Sequence, residues 1–147
     1  MPHEVQPDGR VHGVVFGCRR ASDGRFLMVR RSEHVILPGK VCFPGGGVCV
    51  GESQAAACVR EAREELGISV TPIRAVWRHE FPERPLTLFG WLAELDEEPP
   101  IRPDPLEIAE VLWLARDEAV AHPDGLPTNQ LFIDALERGI ELMEIRE

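Results

Sequence analysis

Between Ser53 and Gly67 the chain reads SQAAACVREAREELG, and the spacing of its apolar residues leaves little choice of local structure. Ala55, Val59, Ala62 and Leu66 recur at helical intervals, which predicts an amphipathic helix with that stripe against a sheet. Gly67 stands where a left-handed C-cap residue would end such a helix. Just ahead lie Pro44 and three glycines, preceded by the short β-rich run VCF (41–43).

The rest of the chain alternates in the same manner. VHGVVFGC (11–18) and FLMVRR (26–31) flank the turn-forming SDG and predict a hairpin. TPIRAVWRHEF and LTLFGWLAEL predict a second hairpin across PERP. A proline-rich loop, EEPPIRPDP, leads into the strand AEVLWLA. In TNQLFIDALERGIELMEI, Leu131, Ile133, Leu136 and Ile140 mark a second amphipathic helix. Mixed strands with two long helices predict an α/β fold, a sheet sandwiched by helices. A length of 147 residues fits one domain over 1–147, able to bury roughly 70% of its unfolded surface.

Charge narrows the partners. The net charge of −9 argues against a nucleic-acid polymer or an anionic membrane as partner, since both reward a basic face. No apolar run is long enough to span a bilayer, and MPHEVQPDGR lacks the apolar core of a secretory signal, so a cytoplasmic protein is expected. Seven basic residues between Arg10 and Lys40 face only Asp23 and Glu33, which suggests a locally basic wall for an anionic small molecule. Solvated strand-edge arginines are the plainer alternative. Cys18, Cys42, Cys49 and Cys58 lack zinc-site spacing and are expected reduced, with a Cys42–Cys49 disulfide the less favoured option.

Glu61, Glu64 and Glu65 sit at i, i+3 and i+4 and are expected to project opposite the apolar stripe. Like charges at that spacing cost a few tenths of a kcal/mol each, and the last turn of a helix disfavours anions. Local stability would choose lysine there. A hard divalent cation reverses the sign, because clustered carboxylates are what Mg²⁺ takes. A solvated helix with incidental glutamates, helped by Arg60 and Arg63, is the alternative on these residues alone.

The flanks weigh against that alternative. Gly46, Glu52, Arg60, Glu61, Ala62, Glu64, Glu65, Gly67 and Ile68 fill the pattern G-x5-E-x7-R-E-U-x-E-E-x-G-U, with U apolar. This resembles the Nudix box at every defined position, and FPGGG resembles its usual lead-in. The resemblance implies a Nudix-type α/β/α sandwich with a mixed β-sheet. It further implies a metal site of Glu61, Glu64 and Glu65 with the Gly46 carbonyl, and Mg²⁺, or Mn²⁺ in its place, as cofactor. Glu52 and Arg60 would form a structural pair, for which an arginine–carboxylate fork is suited.

The activity so implied is hydrolysis of the diphosphate linkage in a nucleoside diphosphate derivative, with a small nucleotide as the partner and a monomer or homodimer as the assembly. Candidates for the base that deprotonates water are Glu64 and Glu65 in the box and Glu107 or Glu110 before the late strand, with Glu107 preferred. HEFPERPLTLFGWLAEL and LPTNQLFIDAL resemble the MutT group, which clears oxidised dGTP. By that likeness Asn129 would read a purine edge and Arg31 would touch phosphate or ribose. The competing role for Asn129 is a helix N-cap. Trp77, Phe81, Phe89 and Trp91 could stack on a base or simply pack. SEHVILPGKVC and GGGV depart from the MutT group, which leaves ADP-sugar and dinucleoside polyphosphate hydrolysis open. A non-catalytic nucleotide sensor is the reading from another class, and the intact box weighs against it.

Overall fold

A computed structural model describes residues 4–96 and 100–146. Seven strands and three helices follow in the order β1 (Val11–Cys18), β2 (Phe26–Arg31), β3 (Val41–Cys42), β4 (Gly45–Gly47), α1 (Gln54–Leu66), β5 (Val70–Glu80), β6 (Leu86–Leu95), β7 (Ile108–Leu114), α2 (Arg116–Ala121) and α3 (Thr128–Arg146). One sheet has the order β4-β1-β6-β5, with β1 and β6 parallel and the other pairs antiparallel. The second is antiparallel, in the order β3-β2-β7. The fold is the expected α/β sandwich.

Strand alternation builds two hydrophobic cores from one set of strands. Successive side chains point to opposite faces. Phe16, Leu27, Val29 and Trp113 therefore join Ala57, Cys58, Ala62 and Leu66 of α1. Their neighbours Val15, Phe26, Met28 and Leu112 join Phe132, Ile133 and Leu136 of α3. Burial on both faces explains why β2 begins as an unbroken apolar run. Leu66 is fully buried, so truncating it to alanine should cost about 2–5 kcal/mol.

Helix α1 begins and ends as its sequence predicts. Ser53 Oγ accepts from the Ala56 amide, and Gly67 adopts φ 64° with its amide donating to Arg63 O. Its buried stripe is Ala57, Cys58, Glu61, Ala62 and Leu66, while Ala55 and Val59 are half-buried. The β5–β6 hairpin is present as expected.

Three expectations need correction. β1 and β2 do not pair as a hairpin. The turn closes through Gly24 N donating to Arg20 O, and one bridge joins Arg19 to Phe26, but no further pairing follows. The edges of β1 are taken by β4 and β6, and those of β2 by β3 and β7, so the two strands enter different sheets. In α3, Ile133 and Leu136 are buried and Ile140 packs beside them as expected, but Leu131 is 47% exposed and Phe132 takes its place in the core. The run VCF is shorter than expected, β3 stopping at Cys42, and Gly45–Gly47, given no element above, forms β4 against Val14 and its neighbours.

Helix α2 is too short for periodicity to find, and Glu118 caps it by accepting from the Ala115 amide at 3.0 Å. Residues 97–99 of the proline-rich loop lie outside the described residues. The four cysteines are free thiols, three of them buried, and burial pushes Cys18 and Cys58 up to about 12. No helix among the described residues is long and apolar enough to cross a membrane.

Candidate active site

The loop before α1 is tied to the helix by one arginine. Arg60 Nε donates to Glu52 Oε2 at 2.8 Å and its Nη2 to Glu52 Oε1 at 2.9 Å, a two-pronged fork. The same guanidinium reaches Gly47 O at 2.8 Å, Glu61 Oε1 at 2.8 Å and Glu64 Oε2 at 3.3 Å. Glu52 also accepts from the Cys49 amide at 3.0 Å. The guanidinium beside it, more than any other group, holds the Glu52 carboxyl down at about 2.

Glu61 is not on the solvent side of the helix. Only 1% of it is exposed, because it adjoins Ala57, Cys58 and Ala62 and faces β4. Space for it comes from Gly46, where a Cβ would stand 2.3 Å from the Glu61 carboxyl carbon. Glu65 lies next to Glu61, and burial drives both above the usual carboxylate range, Glu65 to about 9. The hydrogen bond that protonated Glu65 donates to Glu61, and the negative charges of Glu61 and Glu107, push Glu65 further up, while Arg31 opposes them. Glu64 stands apart, its side chain 47% exposed and turned to Arg60.

A cavity of about 800 Å³ gathers Glu61, Glu65, Glu107, Gly46, Arg31 and Asn129. Glu52, Arg60, Glu64 and Glu110 do not line it. Glu110 is exposed and pairs with Arg30 at 3.0 Å, which separates it from Glu107. Arg31 Nε donates to Ile36 O at 2.6 Å, holding the loop that carries Ile36 beside the cavity. Asn129 is 4% exposed, and its Nδ2 donates to Val41 O at 3.0 Å. Asn129 is not an N-cap, because α3 already begins at Thr128. Its Oδ1 has no hydrogen-bond partner among the described residues.

The profile of the NUDIX domain matches residues 10–136. The chain belongs to the Nudix family. It is 34% identical over 83 residues to the 8-oxo-dGTP diphosphatase of Escherichia coli K12, an alignment covering 55% of this chain and 64% of that protein. It is 31% identical over 110 residues to the uncharacterised Nudix hydrolase YfcD of the same organism, covering 74% of this chain and 61% of the other. The chain thus spans under two thirds of the length of these curated relatives. The solution structure of the E. coli ORF135 protein superposes with a TM-score of 0.70 at 28% identity, covering 88% of this chain and 89% of that one.

Against other Nudix features, the basic wall is the weakest expectation. Of the seven basic residues between Arg10 and Lys40, Arg31 alone lines the cavity. Arg20 pairs with Asp23, Arg25 with Glu118, and Arg30 with Glu110 and Asp124. Arg10 instead clasps the β5–β6 turn, donating to Thr87 Oγ1 at 2.8 Å and Leu86 O at 2.7 Å. Of the four aromatic candidates, Trp77 and Phe81 line the cavity. Phe89 packs on the core, and Trp91 Nε1 donates to Gln54 Oε1 at 2.8 Å. Sequence reasoning missed His79, which lies between them in sequence and lines the same cavity. The period-two alternation Trp77–His79–Phe81 was the available signal.

The donor chemistry fits a divalent cation. Two buried carboxylates held side by side are costly as anions, and a hard cation on their oxygens removes both the repulsion and the desolvation cost. Among the described residues no three acidic, histidine or cysteine side chains are already gathered as a metal cage. Mg²⁺ keeps several waters and takes one or two carboxylates plus substrate phosphates.

Proposed function

We propose that this Nudix protein is a divalent-metal-dependent pyrophosphohydrolase acting on nucleoside triphosphates, with oxidised dGTP within its range. The observation carrying this reading is the buried Glu61–Glu65 pair, which opens onto one cavity with Glu107, Arg31 and Asn129. The name of the 34% identical E. coli relative supports the substrate class.

Glu61 and Glu65 would hold the cation with the Gly46 carbonyl; Glu64, outside the cavity lining, would join them only by turning away from Arg60. When bound, Mg²⁺ or Mn²⁺ neutralises diphosphate charge and acidifies water. Arg31 supplies a fixed positive charge for a phosphate oxygen. Glu107, beside Glu65 in the cavity, accepts the proton as water adds to phosphorus and the bridging P–O bond breaks. Glu65 is the second placed carboxylate for that proton, while Glu64 does not reach the cavity. Asn129 Oδ1, its amide nitrogen already committed to Val41, accepts from a donor on the base edge.

A substrate panel with Mg²⁺ and chromatographic identification of products tests this. It should include dGTP, 8-oxo-dGTP, pyrimidine triphosphates, ADP-sugars and dinucleoside polyphosphates. Hydrolysis of a triphosphate to monophosphate and diphosphate is expected. Preferential cleavage of an ADP-sugar or dinucleoside polyphosphate would replace the substrate assignment, and no hydrolysis with Mg²⁺ or Mn²⁺ would defeat the reaction itself.

A further inference from the structure

Trp77 and His79 of β5 and Phe81 just beyond its end alternate in sequence, and all three line the cavity. The Trp77 and His79 rings stack, centroids 5.4 Å apart and planes 13° apart. Phe81 meets His79 nearly perpendicular, with centroids 4.8 Å apart. Trp77 also stacks on Phe132 at 5.4 Å, and Phe132 lies one turn along α3 from Asn129. The rings form a continuous wall beside the residue proposed to read the base.

His79 stacks on Trp77 and meets Phe81 in a T-shaped contact. What it offers a ligand for hydrogen bonding is its edge. That edge carries two nitrogens, one donor and one acceptor in the neutral ring. Among the described residues neither nitrogen has a hydrogen-bond partner, although the side chain is half-buried. The other half-buried histidines are satisfied: His12 Nε2 lies 2.8 Å from Asp8 Oδ2, and His122 Nδ1 accepts from the Asp124 amide at 3.0 Å. The His79 nitrogens are not buried, so they stand open to the cavity, where a ligand can meet them without breaking a protein contact. The surrounding rings are apolar surface, which suits a nucleoside better than a hydrated diphosphate.

We infer that His79 is a specificity-determining contact that hydrogen-bonds the nucleoside half of the substrate, through a base-edge atom or a ribose hydroxyl, and is not a stacking platform. The inference rests on the nucleotide reading of the same cavity. His79→Phe keeps a ring in the stack and removes both nitrogens, whereas His79→Gln restores a donor and an acceptor without the ring. KM and kcat are measured for the preferred triphosphate, its sugar counterpart with or without the 2′-hydroxyl, and a base-swapped analogue. Inhibition by inorganic tripolyphosphate, which has no nucleoside, is measured alongside.

His79→Phe should raise KM about tenfold, the loss of one good hydrogen bond, with kcat and Tm nearly unchanged. His79→Gln should recover part of that affinity, and tripolyphosphate inhibition should not move. A KM rise confined to ribonucleotides assigns the contact to the 2′-hydroxyl, and one confined to certain bases assigns it to the base edge; both support the inference. An unchanged KM overturns it, as does an equal loss of tripolyphosphate inhibition. A wild-type protein that turns over no nucleotide defeats the nucleotide reading first, before any variant is made.

Discussion

Gly46 and Glu61 divide one volume between them: a Cβ on Gly46 would fall 2.3 Å from the Glu61 carboxyl carbon, far inside contact distance. The glycine is therefore a steric condition for a buried carboxylate on the neighbouring helix. Gly46→Ala should displace Glu61 and lower kcat/KM by about two orders of magnitude, the scale of losing one preorganised electrostatic group. The far-UV circular dichroism should stay native, because Gly46 has no left-handed φ to protect. Wild-type turnover in the alanine variant would mean that Glu61 is not needed where it sits.

Metal should act on stability as well as on rate. Apo protein holds Glu61 and Glu65 together against burial and repulsion. Mg²⁺ should raise the wild-type Tm with concentration, the added stability reaching about 2.7 kcal/mol at a hundredfold excess over Kd, and chelator should abolish both the shift and hydrolysis. Glu65→Gln should leave apo Tm equal or higher and remove the Mg²⁺ response. A full metal-induced shift in that variant would detach Glu65 from the cation.

Glu52 supplies the pH prediction. Its folded carboxyl sits near 2 against an ordinary 4.5, so the stabilisation is present above about pH 4.5 and is lost as pH falls toward 2. Allowing for solvent screening at this rim position, the contribution is roughly 1–2 kcal/mol. Glu52→Gln should lose that much at pH 7 and show a flatter acid limb in urea melts between those pH values. Its turnover should fall less than that of Glu61→Gln. Parallel acid limbs in both proteins would remove the Glu52–Arg60 fork from the stability account.

Glu107 and Glu110 are three residues apart yet face different surroundings. Glu107→Gln should cut kcat by about 10²–10⁴-fold, the range for a lost general base. Glu110→Gln breaks only an exposed pair with Arg30 and should stay within twofold of wild type. If the two variants behave alike, the base belongs elsewhere, and Glu65 is next.

For Asn129, the amide nitrogen and the carbonyl oxygen separate experimentally. Asn129→Ala removes one of two donors to the Val41 carbonyl, which keeps the Leu126 amide, and should cost about 0.5–1.5 kcal/mol in stability. It should also lower kcat/KM for a purine triphosphate about tenfold more than for a pyrimidine one, provided Oδ1 meets the base. A uniform loss across guanine, oxidised guanine and pyrimidine substrates would leave Asn129 with its structural bond alone.

The limits of sequence reading fall where a contact depends on a distant element. Helix α1 was legible in its period and its Gly67 C-cap, since both are local signals. The burial of Glu61 was not, because it depends on β4 supplying a glycine opposite. The SDG turn is as local as any, but whether its strands pair is decided by competition from β4, β6, β3 and β7. Glu107 and Glu110 could not be parted until β7 was seen to start at Ile108. Asn129 shifted from cap to buried anchor with a one-residue change in where α3 begins.

The two cores built by strand alternation bear on how such a protein can change. The carboxylate helix rests on Ala57, Cys58, Ala62 and Leu66, whereas Trp77 and Phe132 of the aromatic wall belong to the other cluster. Repacking around the wall is therefore buffered from the helix by a layer of strands, and distant sites of that kind contribute nearly independently. A lineage drifting toward a new base or sugar could accumulate substitutions on the α3 side while its hydrolytic side stayed fixed, so substrate preference is the trait free to diverge first.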